Sequence, residues 1–223
     1  KNLFSVNLII TLLIVFFSLK CSEDNEPTTF TWSTVFSDNF QRADGSIGNN
    51  YSVQVEYGNG TANISGNKLR FEGSGYWAIR YSAEVPFDLV RVSVNCSVEA
   101  GNPGFGIGAK GTGTDLQYGE SYGVGIMSGE FAIYKYKYNA TEPQNSLATL
   151  ISKSFTIQNS HTYKLQFIVD SKELSAYIED LNSGKKDSIK VTDGGTLLTG
   201  TIVSLNGNSP ASTAVLLFDD FNI

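Results

Sequence analysis

The chain reads as all-β, an antiparallel sandwich of two sheets, and three observations lead there. Apolar residues recur with a period of two, whereas no window longer than about ten residues keeps the i, i+3, i+4, i+7 spacing of a helix. Clusters of Gly, Asn, Asp and Ser punctuate these runs at short intervals, as turns between strands require. Behind an apolar leader, residues 32–223 continue without a proline- or serine-rich break, a length that suits one sandwich domain. Half-apolar strands in such number must stack face to face, because a single sheet would leave its apolar face in water.

Residues 1–20, KNLFSVNLIITLLIVFFSLK, place a basic residue ahead of an apolar run from Leu8 to Phe17 and read as a signal peptide. The run falls short of the about 20 apolar residues of a membrane-spanning helix. Cys21 follows at once. A cysteine so placed resembles the lipidation site of bacterial lipoproteins, although Lys20 stands where those signals carry a small residue. The resemblance implies acyl chains on Cys21 that hold the protein to the outer membrane or cell surface, with the domain in water. Residues 21–31 form a tether that opens with SEDNEPTT. This acidic stretch resembles the surface-export signal of some Bacteroidetes lipoproteins, and it suits a plain solvated linker equally well.

The domain starts with FSDNFQRADGSIG (Phe36 to Gly48), an alternating strand running into a polar, glycine-containing turn. AVLLFDDFNI at the far end again sets acids between apolar residues, which predicts that these terminal strands lie side by side. Between them, alternation gives a core face to each run: Leu69 and Phe71; Trp77, Ile79 and Tyr81; Val90, Val92, Val94, Cys96 and Val98. Tyr163, Leu165, Phe167 and Val169 follow, then Leu174, Ala176 and Ile178, then Ile189 and Val191, then Thr201, Val203 and Leu205. Cys96 reads as an inert core thiol. A net charge of −6 argues against nucleic acid as a partner, since that would require a basic face.

The middle of the chain carries its least ordinary pattern. In GFGIGAKG, Phe105, Ile107 and Ala109 oppose Gly104, Gly106 and Gly108; in SYGVGIMSG, Tyr122, Val124 and Ile126 oppose Gly123 and Gly125. Glycine weakens a strand, so this much of it implies close approach by another group. The next run, EFAIYKYKYN, offers Tyr134, Tyr136 and Tyr138 on one face. Two readings stay open. The tyrosines could cover the bare backbone of the neighbouring strands, as aromatic rings do over glycine in designed sheets. Alternatively, the glycines floor a shallow groove and the tyrosines form a platform for a sugar ring, with Lys135 or Lys137 near its rim.

SDNFQRADGSIG, NKLRF, YGVGI with FAIYKYKY, HTYKLQFIVDSKELSAYI and FDDFNI stand in the order found in concanavalin A-like, laminin G-like jelly rolls, and residues 32–223 resemble that superfamily. The resemblance implies one curved sheet with ligands on its concave face or at its edge loops. It also implies a structural calcium where the chain ends meet, held by Asp219 or Asp220 with Asp38 and carbonyls of the 41–48 turn. Such folds serve binding, adhesion and glycan cleavage alike, so the resemblance does not choose among them. No alternating acidic cluster of a retaining glycosidase occurs: Glu179-Asp180 and Asp219-Asp220 are consecutive and point to opposite faces of a strand. The single histidine, His161, reads as a surface or turn residue. The expectation is a membrane-tethered module that binds a glycan or another surface ligand, with no catalytic residue and no required cofactor. An adhesion module without a sugar site and a hydrolase- or lyase-like enzyme are the alternatives.

Overall fold

The computed structural model describes residues 31–113, 119–137 and 147–223, without the side chains of residues 210 and 211. The leader, Cys21 and Tyr138 therefore lie outside the described residues. Strands follow one another throughout: β1 (Ser37–Asp38), β2 (Tyr51–Ser65), β3 (Lys68–Tyr81), β4 (Leu89–Ala100), β5 (Gly104–Gly111), β6 (Glu120–Met127), β7 (Glu130–Lys137), β8 (Leu147–Ser154), β9 (Thr162–Asp170), β10 (Glu173–Asp180), β11 (Lys186–Thr192) and β12 (Ile202–Asn222). All of their pairings are antiparallel. Among the described residues, no helix is long and apolar enough to cross a membrane.

Thr34–Ile223 forms one compact unit, and three long strands tie its layers together. Residues 204–209 of β12 pair with β3 and β5, whereas residues 214–222 pair with β3, β4 and β1. The register shifts between Ser209 and Ala214, so β12 leaves one sheet and enters the other at that irregularity. The β2–β3 hairpin turns the same corner. Gly75 takes φ 86° there, and a Cβ would stand 1.8 Å from the Tyr57 carbonyl oxygen, so no other residue fits. One sheet thus runs β2-β3-β12-β5-β6-β7-β8 and the other runs β2-β3-β12-β4-β9-β10-β11.

The apolar faces meet between these sheets. Phe105 of β5 lies 6.0 Å from Tyr163 of β9, centroid to centroid, and Trp77 of β3 lies 6.1 Å from Phe218 of β12. The residues assigned to the core by alternation are buried as expected, from Leu69 and Phe71 through the Val90–Val98 set to Val203 and Leu205, with Tyr81, Val191 and Thr201 only partly buried at the margin. Cys96 is wholly buried, and desolvation holds its thiol well above the ordinary range, so it stays protonated and inert. β1 pairs with the end of β12, Asp38 opposite Phe221, as the matching acidic patterns of the terminal strands predict.

Candidate ligand-binding site

β5, β6 and β7 form the meander that the glycine pattern implies, and its register stacks bare positions across the sheet. Gly106 lies opposite Gly125 and Gly108 opposite Gly123, while Gly123 in turn lies opposite Tyr134. Phe131 and Ile133 take the core side of β7, which puts Tyr134 and Tyr136 on the outward, glycine-bearing face. Each of the two open readings finds part of its geometry on that face: a tyrosine covers glycine at one place, and glycines floor a hollow at another. The Tyr134 ring lies on Gly123, where an added Cβ would come within 2.2 Å of it. Gly104, Gly106, Gly125 and Gly207 floor a cavity of about 430 Å³, a volume within the usual range of ligand sites.

Tyr57, Tyr76, Tyr134 and Tyr136 wall this chamber, and Glu56, Asn206 and Asn208 supply its polar groups. Tyr76 and Tyr136 stack at 5.9 Å with planes 24° apart. Asn206 bonds the Tyr134 phenol and also accepts from the Ser204 hydroxyl at 2.8 Å. Tyr57 donates to Asn208 at 3.3 Å and is half exposed at the mouth. Burial pushes the Tyr134 phenol up to about 12, against a smaller lowering by Asn206. Burial also holds the Tyr76 phenol well above its ordinary value, with Tyr134, Tyr136 and Glu56 adding to it and Arg80 opposing. The walls therefore stay neutral and keep their O–H donors at ordinary pH.

A bulge in β2 brings Glu56 here. The β2–β3 register steps from Val55↔Trp77 to Tyr57↔Tyr76, leaving Glu56 as the extra residue, so Glu56 and Tyr57 both reach the chamber. The Glu56 carboxylate accepts a 3.3 Å hydrogen bond from Tyr136, and burial raises its carboxyl above the ordinary value. It is the only charged side chain among the described lining residues. The sequence reading missed Glu56, Tyr57, Tyr76 and the two asparagines, because alternation does not show a bulge or which strands become neighbours.

Three expectations need correction. Tyr134 and Tyr136 are 8 % and 5 % exposed and form walls, since Tyr134 lies down on Gly123 and Tyr136 stacks against Tyr76, which leaves no open platform. Lys135 is not at the rim: with the parity of Phe131 and Ile133 it faces the other side, 2.7 Å from the buried Asp193 carboxylate, which also accepts from Tyr122 at 2.7 Å. Lys137 shares that parity and pairs with Glu120 at 2.9 Å. The calcium expectation meets a donor set that does not fit. Both Asp38 oxygens accept from Arg42 Nη1, at 2.8 and 3.0 Å, and Tyr51 and the Phe40 amide bond them as well, so a guanidinium already supplies the cation. Asp219 accepts from the Asp220 amide, and Asp220 accepts from Asn95. No group of three or more acidic, histidine or cysteine side chains among the described residues is arranged to hold a metal. His161 sits at the start of β9, half-buried, with Nδ1 2.9 Å from Asp180.

Tyr76, Tyr136 and Asn206 also line a narrow neck beside Arg80, which opens on a second depression of about 520 Å³ lined by Ser52, Glu84 and Thr112 among others. The neck shares Tyr76, Tyr136 and Asn206 with the chamber, and Arg80, Gly111, Thr112 and Ile202 with the depression, so the three hollows adjoin in a trough along this face.

The jelly-roll sandwich so described is a lectin-type fold. Similar solved structures include a Bacillus subtilis protein of unknown function with a galectin-like fold, at TM-score 0.65 and 9 % identity over 86 % of this chain and 96 % of that one. The carbohydrate-binding module CBM66 of Bacillus subtilis matches at TM-score 0.54 and 14 % identity, covering 79 % and 96 %. The exoplasmic/lumenal domain of VIP36 in its Ca2+/Man3GlcNAc-bound form matches at 0.57 and 11 %, covering 78 % and 83 %. No protein-family model and no curated protein matches the chain.

Proposed function

We propose that the domain binds a glycan in the trough, with the first sugar unit seated in the tyrosine-walled chamber. The chamber carries the proposal: its rings offer apolar faces to the C–H side of a pyranose, while Glu56, Asn206 and Asn208 offer hydrogen-bonding groups to its hydroxyls. The continuation past Arg80 suits a chain of sugars rather than a single unit. Lectin and carbohydrate-binding structures among the similar folds support the reading by analogy. Binding is favoured over cleavage because the described lining of the chamber holds one carboxylate, whereas a retaining glycosidase needs a second about 5 Å away. A lipid on Cys21, reached through the 21–31 tether, would present the trough outside the cytoplasm.

A glycan array with the soluble domain tests this. Tyr57→Ala, at a half-exposed position, should leave folding intact and weaken binding about fivefold, the loss of about 1 kcal/mol of ring contact. No array signal would leave an adhesion module without a sugar site, and release of reducing sugar would establish an enzyme. Metabolic labelling with a fatty acid, lost in Cys21→Ala, tests the anchor.

A further inference from the structure

The electrostatics of the chamber are one-sided. Glu56 is its only charged group, and Tyr136 is the only partner of that carboxylate among the described residues. Four tyrosines line the same chamber. Tyr134 lies against Gly123 and lines the cavity, and Tyr76 and Tyr136 stack in the same wall. Aromatic faces are electron-rich and attract cations within about 6 Å of their centres. Arg80 lines the neck, not the chamber, and donates to the Gly113 carbonyl at 3.0 Å. Elsewhere the fold matches such acids with bases: Asp38 with Arg42, Asp193 with Lys135, Asp187 with Lys153. At Glu56 the described residues leave that role open.

We infer that the group the chamber takes is a protonated or alkylated amine, so that its ligand is an amino-sugar glycan whose nitrogen sits between the Glu56 carboxylate and the tyrosine rings. The inference rests on the glycan reading and narrows it. A neutral pyranose would satisfy the asparagines but leave a half-buried carboxylate without a counter-charge, whereas an ammonium supplies up to three donors and the missing charge. The raised carboxyl of Glu56 agrees with an acid buried without a cation.

Three β-1,4-linked tetramers separate the possibilities, those of glucosamine, N-acetylglucosamine and glucose, which differ only in the C2 substituent: amine, acetamide or hydroxyl. Tetramethylammonium serves as a sugar-free cation. Calorimetry at slightly acidic pH should show the glucosamine tetramer binding about tenfold tighter than the glucose tetramer. Glu56→Gln, which keeps the shape, should erase that preference. Tyr57→Ala, at the exposed mouth, should weaken the glucosamine tetramer without unfolding the domain. Equal binding of all three tetramers, or a preference that survives in Glu56→Gln, overturns the amine inference and leaves the glycan reading standing. Binding of tetramethylammonium with none of the tetramers supports the cation site and overturns the glycan reading. No binding of any probe overturns the amine inference, and the array then judges the glycan reading alone.

Discussion

Glu56 and Tyr57 are consecutive in the chain, yet both line the same chamber, the carboxylate beside Tyr136 and the ring at the mouth. Two adjacent strand residues share a face only where a bulge breaks the alternation. Deleting Glu56 would restore plain alternation, so that Tyr57 follows core-facing Val55 directly and stays on the chamber face opposite Tyr76, while the chamber loses its carboxylate.

Glu56 leaves a mark on stability. Burial raises its carboxyl above the ordinary value, against a smaller lowering by Tyr136. An acid with a raised pKa in the folded state binds its proton more readily there, so its contribution favours folding at low pH and is lost as pH rises through that pKa. Glu56→Gln should therefore melt no lower than the parent at neutral pH, and the parent should gain on it in acid. A variant that melts lower at neutral pH would contradict a carboxylate held without a counter-charge.

Gly123 tests the seat of Tyr134. A methyl there would sit 2.2 Å from the ring, forcing it into the chamber at a cost of about 1–3 kcal/mol, the usual range for overpacking. Gly123→Ala should lower the melting temperature and reduce ligand affinity together. Gly194→Ala, with nothing within 4 Å of its added carbon, should change neither.

Arg42 takes the place a calcium would fill beside Asp38. It also donates to the Ile47 carbonyl at 2.9 Å, and so fastens the first turn to the end of the fold. Arg42→Ala leaves a largely buried carboxylate short of its main partner and should cost about 1–3 kcal/mol by denaturant melt. Calcium and chelator should leave the parent's melting temperature unchanged; a calcium-dependent rise would restore the metal.

Asp180 governs the acid limb. Burial would raise its carboxyl, but Ser183, His161 and the amides of Asn182 and Ser183 outweigh that and hold it at about 2. An acid with a lowered folded pKa contributes stability above its unfolded value, here 3.8, and loses it as pH falls toward about 2. Asp180→Asn should be less stable than the parent at pH 7, with the difference vanishing across that window. A constant difference across it would assign the loss to packing.

The fold was legible because its signals are local. Val90 to Val98 or Tyr163 to Val169 need only alternation to reveal a core face, and the acidic terminal patterns found each other across β1 and β12. The site was legible by half. Repeated glycine announced a close approach, and Tyr134 and Tyr136 belong to it. The rest depends on strand order: Tyr76, Asn206 and Asn208 join the chamber because β12 lies between β3 and β5. Lys135 shows the converse, for parity placed it with Phe131 and Ile133, and its neighbourhood with tyrosines in sequence misled.

The path of β12 bears on how the chain comes together. Until residues 202–222 arrive, β3, β4 and β5 each show an unsatisfied edge, and neither layer has its middle. Every strand that β12 pairs with is remote from it in sequence, so these pairings form late and slowly, with several sticky borders open meanwhile. A chain growing from its N-terminus would stay pliant until this last rung closes both walls at once.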